Sequence, residues 1–325
     1  MGSIDVRSRW TTIVVEAAVS DSAYQASDRA GQDDPLVGGS TAALSAWCDR
    51  GCRVVERSWK SLIMITTVAV ALPAVAVSVT AETAGVGGYL SINVDDLRWL
   101  VQRLPTSLLG LTITALVAGL AVFVVSAGWA AGAWVIVEET ATGSGASVLA
   151  AFRMGFERAR SMWLWSLGIG LAVGVGLKLC MLPGVYVGFA CSLFGFVALF
   201  EPGANPVLRS AALTHGRIGI ALTRIVVSFV PYAIYSVVFG LMVNTTFRAA
   251  YGIGNLTNTT NDGGIAVLRG MSALIRLALL GPAVAAVLVG LLLTYAELRS
   301  LESPVTTADL RAELRPSPGG DKPTG

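Results

Sequence analysis

Charged side chains are scarce in this sequence. Asp, Glu, Lys and Arg make up 14 % of the 325 residues, apolar residues make up 54 %, and the mean hydropathy is +0.68. Because a soluble domain carries about a quarter charged residues, this composition excludes an ordinary soluble globule. The net charge of +2 gives no electrostatic footprint for DNA or RNA, and we expect no nucleic-acid partner.

Histidine and cysteine are also rare, which removes most metal and nucleophilic chemistry. The single histidine, His215, is far in sequence from Cys48 and Cys52, so no zinc-ligand spacing is present. The sequence contains neither a Walker A motif nor a His–Glu zinc signature. The pair Glu138–Glu139 lacks the arginine and histidines that accompany the paired glutamate of CAAX-type proteases. We therefore expect no metal, no cofactor and no catalytic residue.

Long apolar runs recur along the chain, and a bilayer requires about 20 such residues in a helix. We predict an all-α polytopic membrane protein with six transmembrane helices in three hairpins. The predicted spans are 61–80, 107–137, 162–180, 185–200, 218–243 and 271–296. Residues 1–40 and 304–325 are polar or low in complexity, and we expect them to be disordered cytoplasmic tails.

Positive charge is distributed asymmetrically about these spans. Of the 23 Lys and Arg residues, 17 fall on one side and 5 on the other, and Arg276 lies inside the sixth span. The positive-inside rule therefore places both termini in the cytoplasm. The Ala-rich composition, with Arg preferred over Lys, indicates a bacterial protein, so we expect a multi-pass protein of the bacterial cytoplasmic membrane.

The three cytoplasmic junctions share one plan. Segments 40–62, 143–165 and 203–224 begin with small or capping residues and continue with apolar residues at helical spacing among arginines. In the first segment, for example, we expect Ala46, Cys52 and Val55 to share a helix face. We predict an amphipathic interfacial helix before each hairpin, and hence an internal repeat of three units.

Each predicted hairpin ends on a glutamate. A carboxylate at a helix C-terminus is opposed by the helix macrodipole, so a nearby cation is needed to offset it. One interpretation is a ring of Glu–Arg pairs that locks the repeats together. A second is a ring that binds a cationic ligand or relays protons, and a third is simple exposure to water. The candidate inner-face residues are Glu138, Glu201, Glu297, Arg158, Arg209 and Arg299.

Two further arginines, Arg269 and Arg276, fall toward the outer end of the sixth span. Such side chains snorkel to the interface or cap helix carbonyls. The alternative is that they contact an anion or a lipid headgroup.

Two stretches resemble a known family. "LCMLPGVYVGFACSLFGFVALFEPGANPVLRSAALTHGR" (179–217) and "TYAELRSLES" (294–303) resemble the integral membrane domain of some bacterial glycerophosphodiester phosphodiesterases, a domain that also occurs alone. In the fused proteins, the activity belongs to a separate metal-dependent barrel with several carboxylates and a histidine pair. Since this chain has one histidine, the resemblance implies a stand-alone membrane module without a catalytic domain.

Three function classes follow. The favoured one is a non-catalytic membrane scaffold or accessory module that binds lipid, a membrane-protein partner or a second copy of itself. The alternative is transport or handling of lipid or small molecules, as in export or self-resistance, gated at Pro73, Pro231 or Pro282. The nearly aliphatic spans count against an ion path. An enzyme acting on a lipid-like substrate is the least favoured class.

Overall fold

The computed structural model describes residues 34–38, 43–83, 97–179, 181–251 and 263–315. Only the backbone is described at 78, 81–83, 97–107, 243–244, 246–251 and 263–280. All regular structure in these stretches is helical. The helices are α1 (Leu44–Thr66), α2 (Leu72–Thr83), α3 (Leu97–Thr142), α4 (Val148–Leu179), α5 (Met181–Ala190), α6 (Phe194–Phe200), α7 (Pro206–Gly216), α8 (Ile218–Tyr251), α9 (Gly263–Ser300) and α10 (Thr307–Leu314).

Six helical segments in this part of the chain are long and apolar enough to cross a bilayer. They are Leu44–Val77, Leu108–Thr142, Val148–Leu179, Met181–Phe200, Ile218–Met242 and Gly281–Ser300. The prediction of an all-α protein with six such segments is therefore confirmed. Their grouping into hairpins and the interfacial helices stay predictions.

Helix boundaries differ from the predicted ones at the first two junctions. There, no separate helix precedes the apolar span: α1 continues through a π-helical turn, Thr67–Ala71, into α2, and α4 is one helix from Val148 to Leu179. Neither stretch contains a residue that ends a helix at the point where the apolar run begins. Only the third junction has its own helix, α7, which the turn at Arg217 separates from α8.

The predicted face of α1 is also wrong. Cys52 is exposed, and the buried stripe instead contains Trp47, Arg50 and Val54. These residues recur every three or four positions, as expected for one face of a helix. Their stripe includes an arginine, and this charge inside an apolar face has a partner in the core, described below.

The fourth apolar segment is interrupted between α5 and α6. The Ser210 hydroxyl of α7 donates to the carbonyl of Ala190 at 2.8 Å and accepts from the amide of Leu193 at 3.2 Å. A buried backbone group without a partner is costly, so this serine stabilises the break. Asn205 accepts hydrogen bonds from the first turn of α7, and Pro206 occupies its first helical position.

The C-terminal half of α9, from Gly281, forms the centre of the bundle. Tyr295 is fully buried, and its ring stacks on those of Phe196 and Phe200 at centroid distances of 5.9 and 5.5 Å. Helices α1, α3, α7 and α8 also contact α9. Packing therefore converges on the end of α9 that carries Glu297.

Close helix approach along α3 depends on small residues. A Cβ atom placed on Gly155 of α4 would lie 2.3 Å from the carbonyl oxygen of Ala127. A Cβ atom on Gly128 would lie 2.1 Å from that of Ala69, inside the π-helical turn. Small residues at such contacts are typical of helices packed within a membrane, because they let backbones meet.

Parts of both expected tails are folded against this bundle. The Asp34 carboxylate accepts hydrogen bonds from the backbone amide and the hydroxyl of Thr307, which joins the N-terminal segment to the start of α10. Leu36 and Leu310 are 1 % and 0 % exposed. The expected disorder boundaries at 40 and 304 are thus inaccurate, because short apolar patterns were outweighed by their polar flanks. Residues 1–33 and 316–325 lie outside the described residues.

Candidate functional site

Glu297 lies in a buried cluster at the centre of the bundle and is 2 % exposed. Arg224 of α8 donates from Nη2 to Oε1 of Glu297 at 2.6 Å, and Arg50 of α1 donates from Nη2 to Oε2 at 3.4 Å. Both arginines are more than nine-tenths buried. We call Arg50, Arg224 and Glu297 the deep triad. A buried carboxylate requires such cationic donors, because the free-energy cost of removing the anion from water must be offset by favourable interactions with positive charge.

The N-terminal segment packs against Arg50 of the deep triad. A Cβ atom on Gly38 would lie 2.2 Å from the guanidinium of Arg50, so a larger residue here would require the arginine to shift. Leu36 and Val37 are buried beside it. The segment therefore seals the arginine from solvent and lowers the local dielectric, which strengthens its attraction to Glu297.

Glu201 is the centre of a second cluster, closer to the surface. Arg209 donates from Nε to Oε2 of Glu201 at 2.8 Å, and the Tyr295 hydroxyl donates to Oε1 at 2.9 Å. Arg209 also reaches Glu302 at 2.6 Å. These hydrogen bonds raise the pKa of Arg209 above its ordinary value, with the bond to Glu302 as the largest cause. The cluster ties the α6–α7 turn to the end of α9.

Arg299 extends this cluster to α10. Its Nη1 and Nη2 atoms each donate to Glu313 at 2.7 Å, a bidentate pair. Nη1 also donates to the Tyr295 oxygen at 3.3 Å, and Nε lies 3.9 Å from Glu201. We call Glu201, Arg209, Tyr295, Arg299, Glu302 and Glu313 the edge network.

Glu138 pairs with neither the deep triad nor the edge network. Both of its carboxylate oxygens accept from Arg311 of α10, with Nε at 2.7 Å. Hydrogen bonding to Glu138 raises the pKa of Arg311. Helix α10 thus connects Glu138 on α3 with Arg299 on α9 through two of its own charged residues.

The structure distributes the six predicted ring residues over separate clusters. Glu201, Arg209 and Arg299 share the edge network, whereas Glu297 and Glu138 pair with arginines that the sequence did not indicate. Arg158 contacts no ring carboxylate and instead donates to the backbone carbonyl of Glu313 at 3.5 Å. Arg269 and Arg276 lie on α9, but their side chains are outside the described residues.

The single histidine forms an exposed pair with a tyrosine. Tyr186 of α5 and His215 of α7 approach at 3.0 Å between hydroxyl and Nε2, and Nδ1 lies 2.7 Å from the carbonyl of Ala211. Because a carbonyl only accepts, Nδ1 carries a proton, and in the neutral ring Nε2 accepts from the tyrosine. Tyr186 is 59 % exposed, so the pair lies on the surface of the described bundle.

No protein-family model, curated protein or solved structure matches this chain.

The arrangement of the three glutamates has a direct chemical consequence. Each carboxylate already accepts hydrogen bonds from arginines of the same chain, so an incoming ligand would have to displace one of them. Among the described residues, no group of three or more His, Cys, Asp or Glu side chains could hold a metal ion.

Several partners were missed at the sequence level. The position of Arg50 within an apolar stripe is a signal that this arginine is buried and paired. The spacing of Thr306 and Asp309 is that of a capping box, which is a signal for the start of α10. The pairing of Arg224 with Glu297 has no local signal, because 73 residues separate them.

Proposed function

We propose that this chain is a non-catalytic membrane scaffold or accessory module, which binds lipid or a membrane-protein partner along the outer faces of its apolar helices. One observation carries the proposal: the three glutamates that end the predicted hairpins, Glu138, Glu201 and Glu297, are each paired with an arginine of the same chain. Carboxylates paired in this way hold helices together and are not free to act as acids themselves. The structural interpretation of the glutamates is thereby favoured over a cation or proton site at these three positions.

The outer helix faces support the same proposal. Leu109 and Leu116 of α3 are 70 % and 69 % exposed, and Leu171 of α4 is 70 % exposed. Large exposed apolar areas mark contact with lipid or with another protein. In a bilayer they are the natural contact surface for acyl chains or partner helices.

The proposed orientation places the deep triad and edge network at the cytoplasmic face of a bacterial cytoplasmic membrane. The 17-to-5 distribution of basic residues supports this side. The contact of Asp34 with Thr307 supports placement of both terminal segments at one end of the bundle. Three hairpins with interfacial helices, and hence an internal repeat, belong to the same proposal.

The family resemblance also belongs to this proposal. The stretch 179–217, which carries most of it, contains the α5–α6 break, Glu201 and α7. A membrane domain that occurs alone, without its barrel, would suit an accessory module. The resemblance supplies no catalytic residue for this chain.

Purification of the full chain in mild detergent tests the proposal. Native mass spectrometry of the purified complex should detect a stoichiometric membrane protein, a second copy or specific phospholipids. A bare monomer with no retained lipid would contradict it. Retention of a polar small molecule as the sole bound species would instead favour transport.

A further inference from the structure

Glu139, the neighbour of Glu138, is a buried carboxylate that the clusters above do not include. It lies near the C-terminal end of α3 and is 3 % exposed. Its Oε1 accepts from the Ser61 hydroxyl and from the Ala146 amide, both at 3.0 Å. Its Oε2 is buried and has no hydrogen-bond partner among the described residues.

Two further buried hydroxyl groups without a hydrogen-bond partner in the described ranges belong to this part of α1 and α3. Along this antiparallel seam, Ala69 meets Gly128, Leu62 meets Gly132, and Ser61 bonds to Glu139. Continuing one turn in the same direction places Ser58 of α1 beside the end of α3. Ser58 is 1 % exposed, and its hydroxyl has no partner in the described part of the chain. The same holds for the buried hydroxyl of Thr140, next to Glu139.

The charge at this position is not balanced by protein. None of the ion pairs between described residues includes Glu139, and the neighbouring Arg311 is bidentate on Glu138. A buried carboxylate requires a positive charge or a proton, because desolvation of the anion is costly. The C-terminal end of α3 adds the negative pole of its macrodipole, which also favours a cation.

Three buried oxygens without a hydrogen-bond partner in the described chain thus lie in this part of the seam, and one of them belongs to a carboxylate that no described arginine or lysine pairs with. Oxygen ligands suit hard cations, and a single carboxylate neutralises a single positive charge. A divalent ion would leave a net buried charge, and it would be expected to have more than one carboxylate ligand.

We propose that Glu139, Ser58 and Thr140 form a binding site for a monovalent alkali cation in the α1–α3 seam. The cation binds Oε2 of Glu139 and joins two helices that otherwise meet through apolar and small residues and through the Ser61–Glu139 hydrogen bond. This site lies beyond the proposed scaffold function and does not rest on it. Failure of the cation site would leave the partner and lipid measurements unaffected.

Thermal unfolding of the full chain in detergent tests this site. The wild-type protein is titrated with NaCl or KCl, with choline chloride keeping the ionic strength constant. A bound cation predicts a saturable rise in Tm of several degrees with at least one alkali ion, because a ligand specific for the folded state stabilises it. Equal Tm values in all three salts overturn the proposal.

Two adjacent glutamates provide matched variants for this titration. Glu139→Gln removes the charge while keeping the side-chain shape, and its Tm should no longer respond to alkali ions. Glu138→Gln removes the partner of Arg311, and it should lower Tm while keeping the wild-type response. An alkali response that survives in Glu139→Gln, or that is lost equally in both variants, overturns the site.

A ligand variant covers the case in which Glu139→Gln does not fold. Ser58→Ala removes one orphan hydroxyl from the seam and should raise the half-saturating alkali concentration several-fold. An unchanged half-saturating concentration contradicts the assignment of Ser58. A wild-type Tm that is insensitive to alkali ions would indicate that a proton or a water occupies the position instead, which also overturns the proposal.

Discussion

Glu201 lies where the chain turns from α6 to α7, and its carboxylate contacts the side chains of Arg209, Tyr295 and Arg299. The sequence placed this residue, Glu138 and Glu297 at equivalent positions, and the need for a cation was clear from helix electrostatics. The partner of Glu201 was predictable because Arg209 is only eight residues away. The partners of Glu297 were not, because they depend on how α1 and α8 pack around α9.

Glu297→Gln should reduce the free energy of unfolding by about 3–5 kcal/mol, since it leaves Arg50 and Arg224 buried without their counter-charge. Equilibrium unfolding of detergent-solubilised protein with SDS measures the change. Arg153→Gln is the control, because its pair with Glu157 is exposed and should contribute less than about 1 kcal/mol. Equal losses in the two variants would contradict the assignment of the deep triad.

Tyr295→Phe should cost about 1–2 kcal/mol, because Oε1 of Glu201 loses its hydroxyl donor while the ring stack is kept. The same unfolding measurement checks this value. Tyr186→Phe removes an exposed hydroxyl and serves as the control with little expected change. A neutral Tyr295→Phe would mean that the hydroxyl does not contribute to the edge network.

At the scale of elements, hydropathy predicted the apolar segments, because a helix that crosses a bilayer requires about 20 consecutive apolar residues. It did not predict that α1 and α4 would run unbroken through the junctions. A helix ends where a residue stops it, and the change from amphipathic to apolar composition contains no such residue. Helix α10 was missed because its short apolar pattern, Leu310 and Leu314, becomes stable only when the helix packs against α3 and α6.

Gly155→Ala should destabilise the α3–α4 pair by about 1–3 kcal/mol, because its Cβ would clash with the backbone carbonyl of Ala127. Gly168→Ala, on the same helix, meets nothing within 4 Å and should be neutral or slightly stabilising. Thermal unfolding of both variants in one detergent compares them. A Gly155→Ala protein as stable as Gly168→Ala would show that the two helices are not in close contact.

Thr306→Ala should loosen α10, because it removes the capping box with Asp309. At about 1 kcal/mol for a lost cap, trypsin should cleave at Arg311 about five-fold faster. Hydrogen bonds from Thr306 lower the pKa of Asp309, so this contribution is complete above the ordinary aspartate pKa. It is lost as the pH falls through the lowered pKa. Unchanged cleavage in Thr306→Ala would contradict the role of the cap.

At the scale of the whole molecule, one end of the bundle is held by ion pairs and the rest by apolar and small-residue contacts. The positive-inside count predicts that the ion-paired end faces the cytoplasm. Sequence alone could not predict that segments from both tails close this end, because the Asp34–Thr307 contact spans 273 residues. Long-range pairs of this kind follow from the fold and leave no local pattern.

Cys52 is exposed near this end and reports its orientation. In a variant whose other cysteines are replaced by alanine, a membrane-impermeant maleimide should label Cys52 in inside-out vesicles and not in intact cells. Labelling of intact cells would place the ion-paired end outside and reverse the proposed topology.

The central claim is that Glu138, Glu201 and Glu297 hold the helices together through their arginine partners and bind no ligand. Glu201→Gln tests it most directly when Tm and the co-purifying lipid and protein are measured on the same sample. The account predicts a lower Tm with the bound species retained, because Arg209 and Tyr295 lose a charged partner. An unchanged Tm together with loss of the bound species would contradict it and identify Glu201 as a ligand-binding residue.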